Sequence, residues 1–147
     1  MKKALVKTDF NFPRQKSVYH GKVRDVYNIN DEVLVMVATD RISAFDFILP
    51  DEIPFKGEVL NRISKFWFDK FSDILPNHMV SIDPADFPEE FAQYRDYLCG
   101  RAMLVRKAEP ILVECIVRGY LTGSGKKTYD QDGTVCGIKL PAGLTEA

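Results

Sequence analysis

Residues 118–128 read RGYLTGSGKKT, a run of glycine, hydroxyl and lysine residues with the composition of a phosphate loop. A Walker A loop needs Gly, four residues, then Gly-Lys-Ser/Thr. Gly125-Lys126 supplies the second half, but Tyr120 stands where the first glycine belongs and Lys127 where the magnesium-binding hydroxyl belongs. The motif fails in two places. The stretch still suits an anion. Thr122 and Ser124 are good helix N-caps, Gly123 and Gly125 allow close backbone approach, and free N–H groups at a helix start attract phosphate. Lys126 and Lys127 in a first helical turn oppose the helix dipole by about 0.3–1 kcal/mol each, which a bound anion offsets. An ordinary capped helix with solvated lysines explains the same residues equally well.

The preceding run, ILVECIVR (111–118), has the β-rich composition of a strand. Alternation puts Leu112, Glu114, Ile116 and Arg118 on one face. Glu114 and Arg118 are then about 13 Å apart along the strand, too far for a direct pair. Either each faces a ligand or metal in a cleft, or both reach water at a strand end.

The elements around these residues follow from periodicity. Residues 17–29 read as two strand halves about a bend at Gly21. EVLVMVA (32–38) reads as a strand apolar on both faces, and the two most easily pair antiparallel. Residues 40–57 form a long connection of the kind that is often functional. Val59, Leu60, Ile63, Phe66, Trp67, Phe71 and Ile74 recur at helical spacing, predicting an amphipathic helix over 58–74 whose aromatic stripe is core. Further strands are expected at 79–82, 101–107 and 111–118, a short helix at EEFAQYRDYL, and a weak strand in GTVCGIKL. The arm 1–16 should dock by Phe10 and Phe12. The fold expected is α+β, a mostly antiparallel sheet lobe with inserted helices, in one domain over 1–147.

Composition sets the class. The chain has 147 residues, 46% hydrophobic and 28% charged, with a net charge of −1. No basic surface is implied, so neither nucleic acid nor an acidic membrane face is an expected partner. Cys99, Cys115 and Cys136 form no CxxC pair, and no metal-ligand spacing is present at His20 or His78. No signal peptide or membrane-span pattern is seen, and the cytoplasm is the expected compartment.

VECIVRGYLTGSG (113–125), GKVRDVY (21–27) and TDRISAFD (39–46) together resemble the SAICAR synthetase family, ligases of purine biosynthesis, in the family's order and at similar spacing. The likeness runs from about Tyr19 to the end and covers the N-terminal portion of the longer family members. It implies an α+β fold whose sheet lobe is akin to those of kinases and ATP-grasp enzymes. It implies a reaction in which ATP activates the carboxylate of carboxyaminoimidazole ribotide and L-aspartate attacks, with Mg2+ accompanying ATP. A fragment that binds ATP and ribotide without turnover is the alternative.

The resemblance also implies roles. Lys22 and Gly21 meet ATP phosphates, a place where developing charge calls for a cation. Arg106, Ala108 and neighbours up to Glu109 form the edge that reads adenine through backbone groups. Glu114 is an acid near the nucleotide and metal. Ser43 and Asp46 belong to the substrate loop, with Lys22 and Asp46 expected as catalytic residues, and Asp40 caps or orients that loop; the alternative is that Asp40 and Ser43 are turn residues bonding their own backbone. Arg118 and Ser124 hold the ribotide phosphate, so the loop 118–128 takes the substrate's phosphate rather than that of ATP. No residue is assigned as a metal ligand. An apolar face exposed at the cut through a larger enzyme should promote self-association.

Overall fold

Val33–Ala38 is the middle strand of a five-stranded antiparallel sheet and explains why the sheet forms. Its residues alternate between two covered faces, so both neighbours must be strands that also bury side chains. In the computed structural model, which describes residues 4–113 and 115–146, contacts gather the chain into two compact units, Met1–Glu109 and Pro110–Ala147.

In the first unit the strands are β1 (Ser17–His20), β2 (Arg24–Asn28), β3 (Val33–Ala38), the short hairpin β4 (Ser43–Ala44) and β5 (Phe47–Ile48), β6 (Met79–Ser81) and β7 (Ala102–Arg106). The sheet order is β1-β2-β3-β7-β6, with β4 and β5 apart. Gly21 bends the chain between β1 and β2 as expected, and its N–H donates to Arg24 O at 2.8 Å. A Cβ at Gly21 would lie 3.0 Å from that same carbonyl oxygen, so the bend leaves little room for a side chain.

Register assigns the faces. Asp25 pairs with Val37 and Tyr27 with Val35; Val35 in turn pairs with Leu104 and Val37 with Ala102. These residues share one buried face. It is covered by Phe12 of the arm and by Phe87, Phe91 and Leu98, from the short 3-10 turns and helix α2 (Arg95–Leu98) that precede β7. Burying a side chain such as Phe12 or Phe91 contributes about 1.5–3 kcal/mol. The arm thus docks by its aromatics, as its composition predicts, with the Phe12 and Phe91 rings 3.8 Å apart at their centroids.

The opposite face carries Arg24, Met36, Ala38 and Met103 and is partly covered by helix α1 (Lys56–Lys70). The helix is present but its expected core stripe is not. Val59, Ile63, Phe66, Trp67 and Phe71 stay about half exposed, and the helix buries only Gly57 and Asn61. The reason is the anchor. Asn61 Nδ2 donates to Gly100 O at 3.2 Å and to Ala102 O at 3.0 Å. Gly57 approaches the Ala38 carbonyl so closely that a Cβ there would lie 2.2 Å from its oxygen. These polar and small residues fix which side of α1 meets the sheet, and the aromatic stripe lies elsewhere. Trp67 and Phe71 stack on one another at 5.4 Å.

The second unit holds helix α3 (Gly123–Asp132) and the hairpin β8 (Thr134–Val135) and β9 (Ile138–Lys139). Tyr129 ties it together, its hydroxyl donating to Pro141 O at 2.7 Å and accepting from Leu144 N–H at 3.0 Å. The strand expected at 111–118 is absent among the described residues. A strand needs a partner on its edge, and a short unit with one helix and a two-residue hairpin supplies none. Ile111, Leu112 and Val117 are therefore exposed, Val117 at 98%.

Two buried carboxylates set the acid limit of the first unit. Burial pushes the Asp25 carboxyl up, but hydrogen bonds from Arg41, Thr8 and His20 outweigh it and hold it below its ordinary 3.8. Asp40 is likewise pushed up by burial and held below 3.8 by the N–H groups of Gly57 and Leu5 and by Arg101. A depressed folded value gives stability that is present above the unfolded value and lost as pH falls through the folded one. Urea midpoints should therefore hold steady above about pH 5 and fall below about pH 4, and Asp25→Asn should flatten that fall while lowering the plateau. Gly57→Ala should cost about 2 kcal/mol or more, whereas Gly119→Ala, with open space around its Cβ, should change the midpoint little.

Candidate functional site

GKVRD and TDRISAFD lie apart in sequence and meet in space. Between β4 and β5 the chain turns on two residues, Phe45 (φ 49°) and Asp46 (φ 69°), both left-handed. A two-residue hairpin turn requires such angles and usually takes Asn or Gly. Here the turn displays Asp46, whose Oδ1 accepts from Lys22 Nζ at 2.5 Å. Both side chains are more than half exposed, Lys22 at 55% and Asp46 at 89%. The ammonium beside it holds the Asp46 carboxyl below its ordinary value. Ser43 sits at the base of the same hairpin, paired with Ile48.

Gly21 and Lys22 are held from behind. Arg41 Nη2 donates to Gly21 O at 2.8 Å and Arg41 Nε to Lys22 O at 3.0 Å, while Asp25 Oδ1 accepts from Arg41 Nη2 at 2.8 Å. Asp40 does not cap its own loop. Its carboxylate accepts from Leu5 N–H at 2.8 Å and Gly57 N–H at 2.9 Å and pairs with Arg101 at 3.2 Å, so it fastens the arm and the start of α1 to the end of β3.

Arg106 ends β7, and its N–H donates to His78 O at 2.8 Å. Lys107 N–H donates to Glu32 O at 2.6 Å, which leaves Ala108 as the next position along this edge. Both Arg106 and Ala108 are exposed.

In the second unit Arg118 lines a cavity of about 440 Å³ together with Gly119, Tyr120, Leu121, Thr122, Gly125 and residues of the β8–β9 hairpin. Thr122 occupies the N-cap of α3 as expected, though its side chain makes no capping hydrogen bond. Ser124 lies inside the first turn rather than at the cap; its carbonyl accepts from Thr128 Oγ1 at 3.1 Å. Lys126 is paired with Asp130 one turn on. Glu114 lies outside the described residues.

Lys22 and Asp46 thus meet, with Gly21 and Ser43 beside them in the chain and Arg106 and Ala108 at and just past the C-terminal end of β7 in the same unit; Arg118 and the Thr122–Gly125 turn are neighbours in the other. Sequence reasoning missed Arg41 and Asp25, although both stand in the motifs quoted. A buried charge pair looks like surface polarity in a sequence. The signal was Asp25 at an inward position of an otherwise apolar strand face.

A family model described as SAICAR synthetase matches residues 17–147. The chain belongs to the SAICAR synthetase family. It is 59% identical over 143 residues to the phosphoribosylaminoimidazole-succinocarboxamide synthase of Syntrophotalea carbinolica, covering 97% of this chain and 47% of that protein. To the synthase of Trichlorobacter lovleyi it is 54% identical over 147 residues, covering 100% and 49%. Among solved structures, a SAICAR synthase superposes with a TM-score of 0.86 at 42% identity, over 98% of this chain and 50% of the other. The SAICAR synthase from Saccharomyces cerevisiae complexed with SAICAR gives 0.84 at 42%, over 97% and 50%. A type-2 SAICAR synthetase in complex with ADP gives 0.61 at 25%, over 85% and 46%. The expected α+β architecture is that of these SAICAR synthetase structures, and the chain spans about half the length of the relatives it matches.

The Lys22–Asp46 pair can be read directly. Replacing Lys22 by methionine should return the Asp46 carboxyl to its ordinary 3.8, followed by carbon-detected NMR titration. An unchanged low value would mean that another group holds it.

Proposed function

We propose that the chain is the ATP- and ribotide-binding portion of a ligase that joins L-aspartate to carboxyaminoimidazole ribotide, forming SAICAR, ADP and phosphate. The observation that carries this reading is the meeting of Lys22 and Asp46 at 2.5 Å, which brings the GKVRD turn to the TDRISAFD hairpin in a member of this family.

Lys22 is an exposed cation on a fixed turn. It contributes a point charge to β- and γ-phosphate oxygens, whose charge rises as the phosphoryl group moves to the ribotide carboxylate. Asp46 holds that ammonium before ATP arrives and afterwards lies beside the transferring group. Ser43 supplies a hydroxyl to the ribotide from the same hairpin. Ala108 and the end of β7 at Arg106 form the edge that meets adenine. Arg118, with its planar fork of donors, and Ser124 in the first turn of α3 hold the ribotide phosphate. The 440 Å³ cavity beside Arg118 is of the size small-ligand sites have. Glu114 is assigned to the nucleotide side by its motif alone.

Mg2+ travels with ATP in this reading. Among the described residues no group of three or more His, Cys, Asp or Glu side chains could hold a metal, so these residues form no protein cage for it. No helix among the described residues is long and apolar enough to cross a membrane. A cytoplasmic location follows from the substrates, and self-association follows from the exposed aromatic stripe of α1.

The second reading is a binding fragment without turnover, favoured by the half-length coverage of the relatives. Phosphoryl transfer depends on positioning, so part of a cleft loses nearly all rate. Calorimetric titration separates the ligand roles. Arg118→Ala should weaken ribotide binding by about tenfold or more, the factor carried by one charge-assisted bond, and leave Mg-ATP binding unchanged. Lys22→Ala should do the reverse. Equal losses for both ligands in either variant would contradict the assignment.

A further inference from the structure

The turn that carries Lys22 has its main-chain carbonyls fastened one after another. Gly21 O accepts from Arg41 Nη2, and Lys22 O from Arg41 Nε. Val23 O accepts from Thr39 N–H at 3.1 Å and from Thr39 Oγ1 at 2.9 Å. Arg24 O accepts from Gly21 N–H at 2.8 Å. The guanidinium behind the turn is itself buried. Its Nη1 donates to Val6 O of the arm, and its Nη2 meets the fully buried Asp25 carboxylate. Asp25 Oδ2 accepts from Thr8 N–H at 3.1 Å and Thr8 Oγ1 at 2.7 Å.

We infer that Arg41, seconded by Thr39, is a positioning residue for Lys22: it holds the 21–24 turn from the protein interior so that the ammonium is presented at a fixed place in front of the Asp46 hairpin. The inference rests on the reading that Lys22 meets nucleotide phosphate. The chemistry favours arginine over lysine at 41. A guanidinium has five N–H donors in a rigid planar fork. Here that fork serves four acceptors in three directions, the Gly21 and Lys22 carbonyls, the Val6 carbonyl and Asp25. A lysine ammonium of similar reach carries the same charge, so it can keep the Asp25 pair, but three donors on one tetrahedral nitrogen cannot cover that set. If burial of charge were all that mattered, Arg41→Lys would be nearly silent at the turn. If positioning matters, the turn loosens while the sheet behind it stays.

Two readouts test this in the chain as it is. The first is native-state amide exchange, which needs no ligand. Gly21 N–H and Thr39 N–H close the turn through Arg24 O and Val23 O. In Arg41→Lys their exchange should rise by about tenfold or more, the factor that losing one charge-assisted bond carries, while amides of the β3–β7 ladder keep their protection. Unchanged exchange at Gly21 and Thr39, or an equal rise through the whole sheet, overturns the inference. Should Arg41→Lys fail to fold, Thr39→Val removes only the hydroxyl bond to Val23 O from the set that holds the turn and should raise exchange at Gly21 while the β3–β7 ladder keeps its protection; no change at Gly21 overturns the inference.

The second readout is Mg-ATP affinity in a double-mutant cycle. Arg41→Lys should weaken binding by about tenfold, and adding it to Lys22→Ala should weaken binding no further, because a residue acting through Lys22 has nothing left to position. Full additivity overturns the inference. If Lys22→Ala alone binds Mg-ATP as tightly as the parent chain, the nucleotide reading of Lys22 has failed, and the clamp stands or falls on the exchange result.

Discussion

Asp25 is buried completely on the apolar face of the sheet, and the first unit is organised around keeping that charge tolerable. An unpaired carboxylate at such a site costs several kcal/mol. Compensation comes from three parts of the chain at once: Thr8 of the arm, His20 at the end of β1 and Arg41 beyond β3. Tyr27 extends the network, its hydroxyl 2.6 Å from Thr8 Oγ1. The arm is therefore fixed at both ends of one contact surface, by rings at Phe10 and Phe12 and by this polar cluster at Thr8. Because Arg41 also reaches the Gly21 and Lys22 carbonyls, a requirement of burial has a consequence at the surface, where the turn bearing Lys22 stands.

A parallel arrangement exists one residue from Arg41. Asp40 is equally buried and draws Leu5, Gly57 and Arg101 together. Arg101 in turn reaches Glu58 at 3.0 Å. The two carboxylates divide the work: Asp25 faces the arm and the Lys22 turn, Asp40 faces the start of α1. That second anchor decides which side of α1 touches the sheet. It also explains how a helix with so strong an aromatic stripe keeps the stripe uncovered in this unit. Ile111, Leu112, Val113, Ile116 and Val117, all exposed in the other unit, show the same thing by different means, apolar residues without a partner edge.

Much of this was legible in the sequence, and the failures have physical causes. β-rich and apolar composition placed β2, β3 and β7 well, because β3 and β7 lie inside the sheet and are covered on both faces. The bend at Gly21 and the docking of Phe10 and Phe12 were also readable. Periodicity found α1 but not its orientation, since the amphipathic pattern names an apolar side and not the polar anchors, Gly57 and Asn61, that outvote it. Composition suggested a strand at 111–118, but pairing is non-local and composition cannot supply the neighbour. For the candidate site, the motifs named Lys22, Ser43, Asp46 and Arg118. Their spacing gave no hint that a left-handed turn at Phe45 and Asp46 would bring the hairpin to Lys22. Asp25, Arg41, Thr39 and Asp40 stand in the same motifs, and only the folded chain shows that their side chains are buried.

In the proposed reading the turn at 21–24 receives the phosphates of ATP beside the hairpin at 43–48, which meets the ribotide. A backbone amide spectrum of the chain, recorded as Mg-ATP is added, tests it most directly. The account predicts saturable shifts at Gly21–Arg24, Ser43–Asp46 and Arg106–Ala108, with the amides of α3 unmoved. Shifts confined to α3 and the loop before it, or none at saturating nucleotide, would contradict it.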